Sequence, residues 1–170
     1  MQKIRLALAG SAAALAIVAM LGAPAFASDA PTIGDLDQLS TIELEVLRSD
    51  APKKIQVDPN SGDITSVQSL TDSEMSGLLR AAGGGISSRT LTSVGTWYGR
   101  PPALNYDFNL GVTSGTWPNR GNFYTGPYYA KLCWNNGLGT FCMPERNGAN
   151  AWIELGSSVT GRSVDLSTTR

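Results

Sequence analysis

The sequence predicts a mostly β protein: a compact antiparallel sandwich or barrel over residues 88–170, preceded by a signal peptide and a small helix-hairpin-helix segment. Three observations predict it. After residue 86, short runs of β-branched and aromatic residues alternate with Gly, Pro and Asn turns. Twelve aromatic residues fall between Trp97 and Trp152, and none lies between Ser28 and Thr96. The net charge changes sign at nearly the same place, from −6 over residues 28–80 (ten acids, four bases) to +3 over residues 86–170 (four acids, seven bases). Gly83-Gly84-Gly85 between the two stretches supplies backbone freedom. The expected organisation is therefore signal peptide 1–27, acidic segment 28–82, linker 83–87 and aromatic domain 88–170.

Each element has a local cause. Lys3 and Arg5 precede an apolar run from Leu6 to Leu21, and Pro24 then leads into Ala25-Phe26-Ala27. That order is the pattern of an export signal, with cleavage expected between Ala27 and Ser28. The sequence carries no lipid-anchor cysteine at that junction, so the expected product is secreted and free of a membrane anchor. In the acidic segment, Ser40-Thr41-Ile42-Glu43 and Thr71-Asp72-Ser73-Glu74 are capping boxes, each opening a helix with an apolar face. Between them, residues 54–57 and 63–67 alternate as strands do, around the turn residues Asp58-Pro59-Asn60-Ser61-Gly62. A segment of this size without aromatic side chains buries little by itself. It is read as a pro-segment that assists folding or masks the aromatic domain, drawn to it by opposite charge that salt would screen.

Residues 51–58 and 62–67 (Ala51-Pro52-Lys53-Lys54-Ile55-Gln56-Val57-Asp58 and Gly62-Asp63-Ile64-Thr65-Ser66-Val67) resemble leader regions of small secreted, pre-pro-type proteins of high-GC Gram-positive bacteria. The resemblance covers about the first half of the chain and implies export rather than an activity. Leu70-Thr71-Asp72-Ser73-Glu74-Met75 ahead of Gly83-Gly84 is similar to the double-glycine leaders of bacteriocins, with a longer spacing from helix to glycines.

In the aromatic domain the expected strands are 88–98, 103–110, 111–117, 128–134, 140–143, 151–155 and 160–166. If Cys133 faces Cys142, Gly137-Leu138 forms the tip of a hairpin and Gly137 meets the positive φ that a type II′ turn requires. That register makes 133:142 a close, non-hydrogen-bonded pair, which suits a disulfide in an exported chain. It also sets Trp134 opposite Phe141. Residues 95–100 and 115–120 both read GTWxxR, an echo that would present Trp and Arg on one rim.

Composition removes several functions. There is no histidine, so Ser-His-Asp, Cys-His and HExxH chemistry are excluded. A net charge of −1 without a basic cluster argues against nucleic acid as a partner. Paired carboxylates can hydrolyse glycosides without histidine, and the candidates are Asp107, Glu145, Glu154 and Asp165. Glu154 and Asp165, however, sit at solvent-facing strand positions, and Glu145-Arg146 reads as a surface ion pair. The expectation is therefore no enzyme, no metal and no cofactor. So many rings in a small domain point to contact, with an extracellular protein or with cell-wall polysaccharide. Trp97, Tyr98, Arg100, Trp117, Arg120, Tyr124 and Tyr128 are the expected exposed recognition residues, whereas Trp134, Trp152 and Phe141 are expected in the core. The readings, in order, are a secreted antimicrobial or inhibitory effector, a wall-binding module, and a carboxylate-dependent glycoside hydrolase.

Overall fold

The computed structural model describes residues 30–83 and 95–170. The export signal, its cleavage site, linker positions 84–87 and the beginning of the strand expected over 88–98 lie outside the described residues. The chain order is β1 (Thr32–Ile33), α1 (Thr41–Arg48), β2 (Lys53–Val57), β3 (Ile64–Ser69), α2 (Asp72–Gly83), β4 (Gly95–Gly99), β5 (Tyr106–Phe108), β6 (Gly111–Tyr124), β7 (Tyr129–Asn135), β8 (Thr140–Cys142) and β9 (Ala151–Ser167).

Both helices begin where their capping boxes place them. At α1, the Ser40 hydroxyl accepts from the Glu43 amide, while the Glu43 carboxylate accepts from the Ser40 amide and lies below the ordinary carboxylate pKa because of those bonds. Thr71 and Glu74 repeat the arrangement at the start of α2. Pro59 and Gly62 make the turn between β2 and β3, with Gly62 at φ 90° and packed against the Cys142 carbonyl, where a side chain would collide. The cysteine hairpin has the expected register: Cys133 faces Cys142, Trp134 faces Phe141, and Gly137 takes φ 94°. The disulfide joins Cα atoms 4.1 Å apart.

Every pairing among the described strands of residues 95–170 is antiparallel, as expected there, and the sheet as a whole becomes mixed because strands of the acidic segment join it. Its order is β1-β8-β7-β9-β6-β4-β5, with β2 and β3 branching from β9. Two pairings are parallel: β1 on β8 and β2 on β9. In both, a strand of the acidic segment lies against one from the aromatic stretch. Residues 151–155 and 160–166, expected as two strands, form one long β9. A kink at Gly156, at φ 66°, lets β9 change neighbours. Before the kink β9 lies between β2 and β6, and after it between β7 and β6.

Both stretches supply the larger of two buried apolar clusters. Leu47, Ile55, Val57, Ile64 and Val67 pack with Trp97, Phe123, Leu132, Trp134, Ile153 and Val164. Backbone ladders and apolar burial therefore join the acidic and basic stretches. The Lys54–Glu154 ion pair, at 2.8 Å, links them with polarity opposite to their net charges. Lys53 is fully buried, donating from Nζ to the carbonyls of Ser49 and Ala149, both at 2.7 Å. Burial pushes its pKa down to about 8, against the smaller opposing pull of Asp50.

Candidate functional site

Alternation along β4, β6 and β9 sorts their side chains onto two faces. Trp97, Phe123 and Ile153 are register partners across the three strands and point into the main cluster. Tyr98, Tyr124 and Trp152, one residue along each, occupy the other face. There Tyr124 lies directly across from Trp152, and the rings of Tyr98 and Trp152 sit 5.2 Å apart, tilted by 45°. Glu154 and Asn122, also register partners, continue this face beside the rings, with Lys54 on the next strand. The Trp152 indole donates to Glu154 at 3.1 Å, and the Tyr124 hydroxyl to Asn150 at 3.3 Å. Helix α2 covers the rings with Met75 and Leu79, flanked by Leu78 and Ala82. Burial raises both phenol pKa values, that of Tyr98 to about 12.

At the far end of the sheet three bends converge on a groove of about 250 Å³. Its walls are Asn119, Asn135, Asn136, Gly137, Ser158, Val159 and Thr160. Asn119 lies within the irregular stretch of β6 with φ 58°, a conformation Asn tolerates better than most residues. Asn135 and Asn136 hold the hairpin tip by accepting from the amides of Gly137, Leu138 and Gly139. Asn136 also donates to the Pro59 carbonyl and to Asn60, which ties the groove to the β2–β3 turn. Among the described residues, the Asn119 amide, Asn135 Nδ2 and the hydroxyls of Ser158 and Thr160 keep their hydrogen-bonding capacity unspent. None of the described residues that line the groove is charged.

The residues that the sequence nominated for recognition are placed differently. Trp97, Tyr98, Arg120 and Tyr124 are buried, Trp117 and Tyr128 are half-buried against the main cluster, and Arg100 alone is exposed. The expected exposed aromatic surface is instead a two-sided interior, because both faces of β4 and of the Phe123–Tyr124 end of β6 are covered. The GTWxxR echo does not form a rim. Trp97 and Trp117 meet inside with ring centroids 5.9 Å apart, while Arg100 reaches outward to the Gly156 carbonyl. Arg120, only 1% exposed, donates to the carbonyls of Pro118, Trp97 and Leu104 and lies 4.9 Å from the Tyr106 ring centroid. It fastens the loop after β4 to β6 instead of facing a partner. Trp134 and Trp152 are in the core as expected, and Phe141 is half-buried.

The four carboxylates each have a partner of their own. Asp107 accepts from the Thr96 hydroxyl, and Glu154 from Lys54 and Trp152. Glu145 and Arg146 do not pair with each other: Glu145 pairs with Arg170, and Arg146 with Asp165 at 2.8 Å. The sequence reading missed the groove because its residues come from one hairpin tip and from the interiors of two long strands. It also missed the second buried face, whose signal is legible afterwards. Trp97-Tyr98, Phe123-Tyr124 and Trp152-Ile153 set large apolar groups side by side, as strands buried on both faces do.

Neither described helix is long and apolar enough to cross a membrane. Comparison with protein families, with curated proteins and with solved structures found no match.

Proposed function

We propose that the protein is an exported, non-catalytic binding module that holds neutral cell-wall polysaccharide in the groove between Asn119, Asn135 and Thr160. The observation that carries this reading is the groove's chemistry: amides and hydroxyls with free donors and acceptors, and no charge among the described residues of its walls. A sugar hydroxyl both donates and accepts, and amide and hydroxyl side chains answer in both directions. An anionic ligand would need a cation that these walls do not supply. At about 250 Å³, the groove falls just short of the roughly 300 Å³ at which drug-sized sites begin. That suits one sugar ring of a longer chain. The disulfide fits an oxidising compartment. Because Ile55, Val57, Ile64 and Val67 belong to the shared core, the module acts with residues 30–69 in place rather than as a fragment starting near residue 86.

A second reading, the contact-acting inhibitory or antimicrobial effector, rests on one feature. Among the described residues, 111–116 of β6 are exposed and pair only with β9, and they carry Val112 at 68% exposure beside Leu110 at 51%. An uncharged open edge accepts a strand from another protein.

Co-sedimentation with purified insoluble wall polysaccharide tests the first reading. Asn119→Gly keeps the backbone compatible with positive φ, and Thr160→Val keeps the side-chain shape. Each removes one hydrogen-bonding group and is expected to weaken binding about fivefold. Unchanged binding in both variants would overturn the groove reading. Recovery of the exported chain as a fragment starting near residue 86, free of the wall, would favour the effector.

A further inference from the structure

We propose that α2 is a displaceable cap, and that the sheet face beneath it is a second carbohydrate site where the flat face of a pyranose ring stacks on Tyr98, Tyr124 and Trp152. The inference rests on the carbohydrate reading above but uses different residues.

Three properties separate α2 from the remainder of the acidic segment. First, its attachment is apolar alone. Among the described residues, no side chain of α2 makes a hydrogen bond or ion pair to the sheet, and its one side-chain hydrogen-bond network is its own cap at Thr71 and Glu74. Second, the rings beneath do not depend on it for polar partners. Trp152 Nε1 is held by Glu154 and the Tyr124 hydroxyl by Asn150, both from the sheet side. Lifting the helix therefore orphans no hydrogen bond there, and the usual penalty for unpairing a buried polar group is absent. Third, the helix is weakened at its centre. Gly77 lies in the middle of α2, where a methyl group would meet nothing within 4 Å. A glycine in a helix interior that packs against nothing lowers the stability of the helix without a steric reason. The pivot is fixed as well, since the Leu70 amide donates to the Pro52 carbonyl at 2.8 Å immediately before the helix begins.

What the helix covers has the composition of a saccharide platform. Tyr and Trp present an apolar face with a polar edge, which matches a sugar ring with C–H groups on its face and hydroxyls around its rim. The 45° tilt between Tyr98 and Trp152 makes a shallow trough rather than a flat shelf. Asn122, Glu154 and Lys54 adjoin the rings on the same face and are placed for the rim hydroxyls. The inner face of the same strands offers no such possibility, because β-strand residues from both stretches seal it.

The test uses the whole protein with two probes, cellohexaose and chitohexaose, and two variants that move the cap in opposite directions. Gly77→Ala strengthens the helix and should lower the open population, and hence the affinity at this site, about two- to fivefold. Leu79→Ser removes an apolar contact of the cap and should raise the affinity. Hydrogen exchange in the same samples should show the α2 amides exchanging by local opening, well ahead of the β2 amides. Opposite shifts in affinity, with Asn119→Gly leaving those shifts unchanged, establish the cap and its separation from the groove. Exchange of α2 and β2 at one common rate overturns the cap. Local opening with affinity unmoved by either variant overturns the platform as a binding site, and leaves the groove to be judged by its own variants.

Discussion

Residues 30–83 contribute to this molecule in two ways, and comparing β2–β3 with α2 shows what separates an added strand from an added helix. The β2–β3 hairpin enters the sheet through a parallel ladder to β9 and sends Ile55, Val57, Ile64 and Val67 into the main cluster. Helix α2 makes no ladder and buries Met75 and Leu79 on a separate five-residue cluster. The ladder to β9 together with the fully buried side chains of β2 commits the hairpin to the central sheet, so it is lost only with the fold. Side-chain packing by one helix can be lost locally.

The largest test of that contrast is a pair of truncations. Ile55→Ala empties a fully enclosed site and should cost about 2–5 kcal/mol in chemical denaturation. Leu79→Ala should cost no more than the low end of that range, about 2 kcal/mol, because the helix can settle onto the smaller side chain. Equal losses would mean that α2 is as integral as β2. Next in size is the disulfide. Its short loop gives about 2–3 kcal/mol in the chain-entropy picture, so Cys142→Ser should lower stability by that amount while far-ultraviolet dichroism keeps its sheet signal. Because Gly34 donates to the Cys142 carbonyl and β1 pairs with β8, hydrogen exchange at residues 32–34 should accelerate in the same variant.

Alkaline titration separates the two attachments by sign. Lys53, the first residue of the β2 ladder, has a folded pKa of about 8 against 10.5 for an ordinary lysine. Between those values the unfolded chain binds the extra proton, so stability rises with pH across the window, and below pH 8 the burial penalty is fully present. Tyr98 under α2 has the opposite displacement, about 12 against 10.0. The folded state then holds the extra proton, so its contribution is complete below pH 10 and is lost as pH climbs towards 12. Denaturation midpoints followed from pH 7 to 11 should therefore rise and then turn over. Lys53→Met should remove the rise, and Tyr98→Phe should lessen the fall, to which the buried Tyr124 phenol also contributes; a profile unaltered by either substitution would contradict both assignments.

How much of this was legible in the sequence depends on how far each signal reaches along the chain. Ser40 with Glu43, Thr71 with Glu74, and Cys133 with Cys142 across Gly137 are local patterns, and the structure keeps all three. The parallel pairing of Ile55 with Ile153 has no turn between its strands and no residue that announces its partner. Missing it made the acidic segment look separate and left the aromatic domain looking too rich in rings to bury them. Once β2, β3 and α2 supply aliphatic cover on both faces, Trp97, Tyr98 and Tyr124 have somewhere to go. The groove was hidden for a related reason, since Asn119, Asn135 and Thr160 meet only when the irregular stretches of β6 and β9 come alongside the hairpin tip.

The smallest expected effect bears on charge. The opposite net charges of the two stretches suggest an attraction that salt would weaken, and the contacts argue for something else. Lys54 and Glu154 bridge the stretches with a base from the acidic side and an acid from the basic side, each about one-quarter exposed. A pair so placed contributes about 0–1 kcal/mol. The Tyr129 hydroxyl on Asp50, at 2.9 Å, adds a hydrogen bond rather than an ion pair. Ladders and apolar burial are not screened over a Debye length. Raising salt from 0.05 to 0.5 M, roughly a threefold shortening of that length, should therefore leave the exchange rates of the β2 amides nearly constant, and Lys54→Ala should shift the midpoint only slightly. A marked acceleration of β2 exchange in salt would return the join between the two stretches to electrostatics.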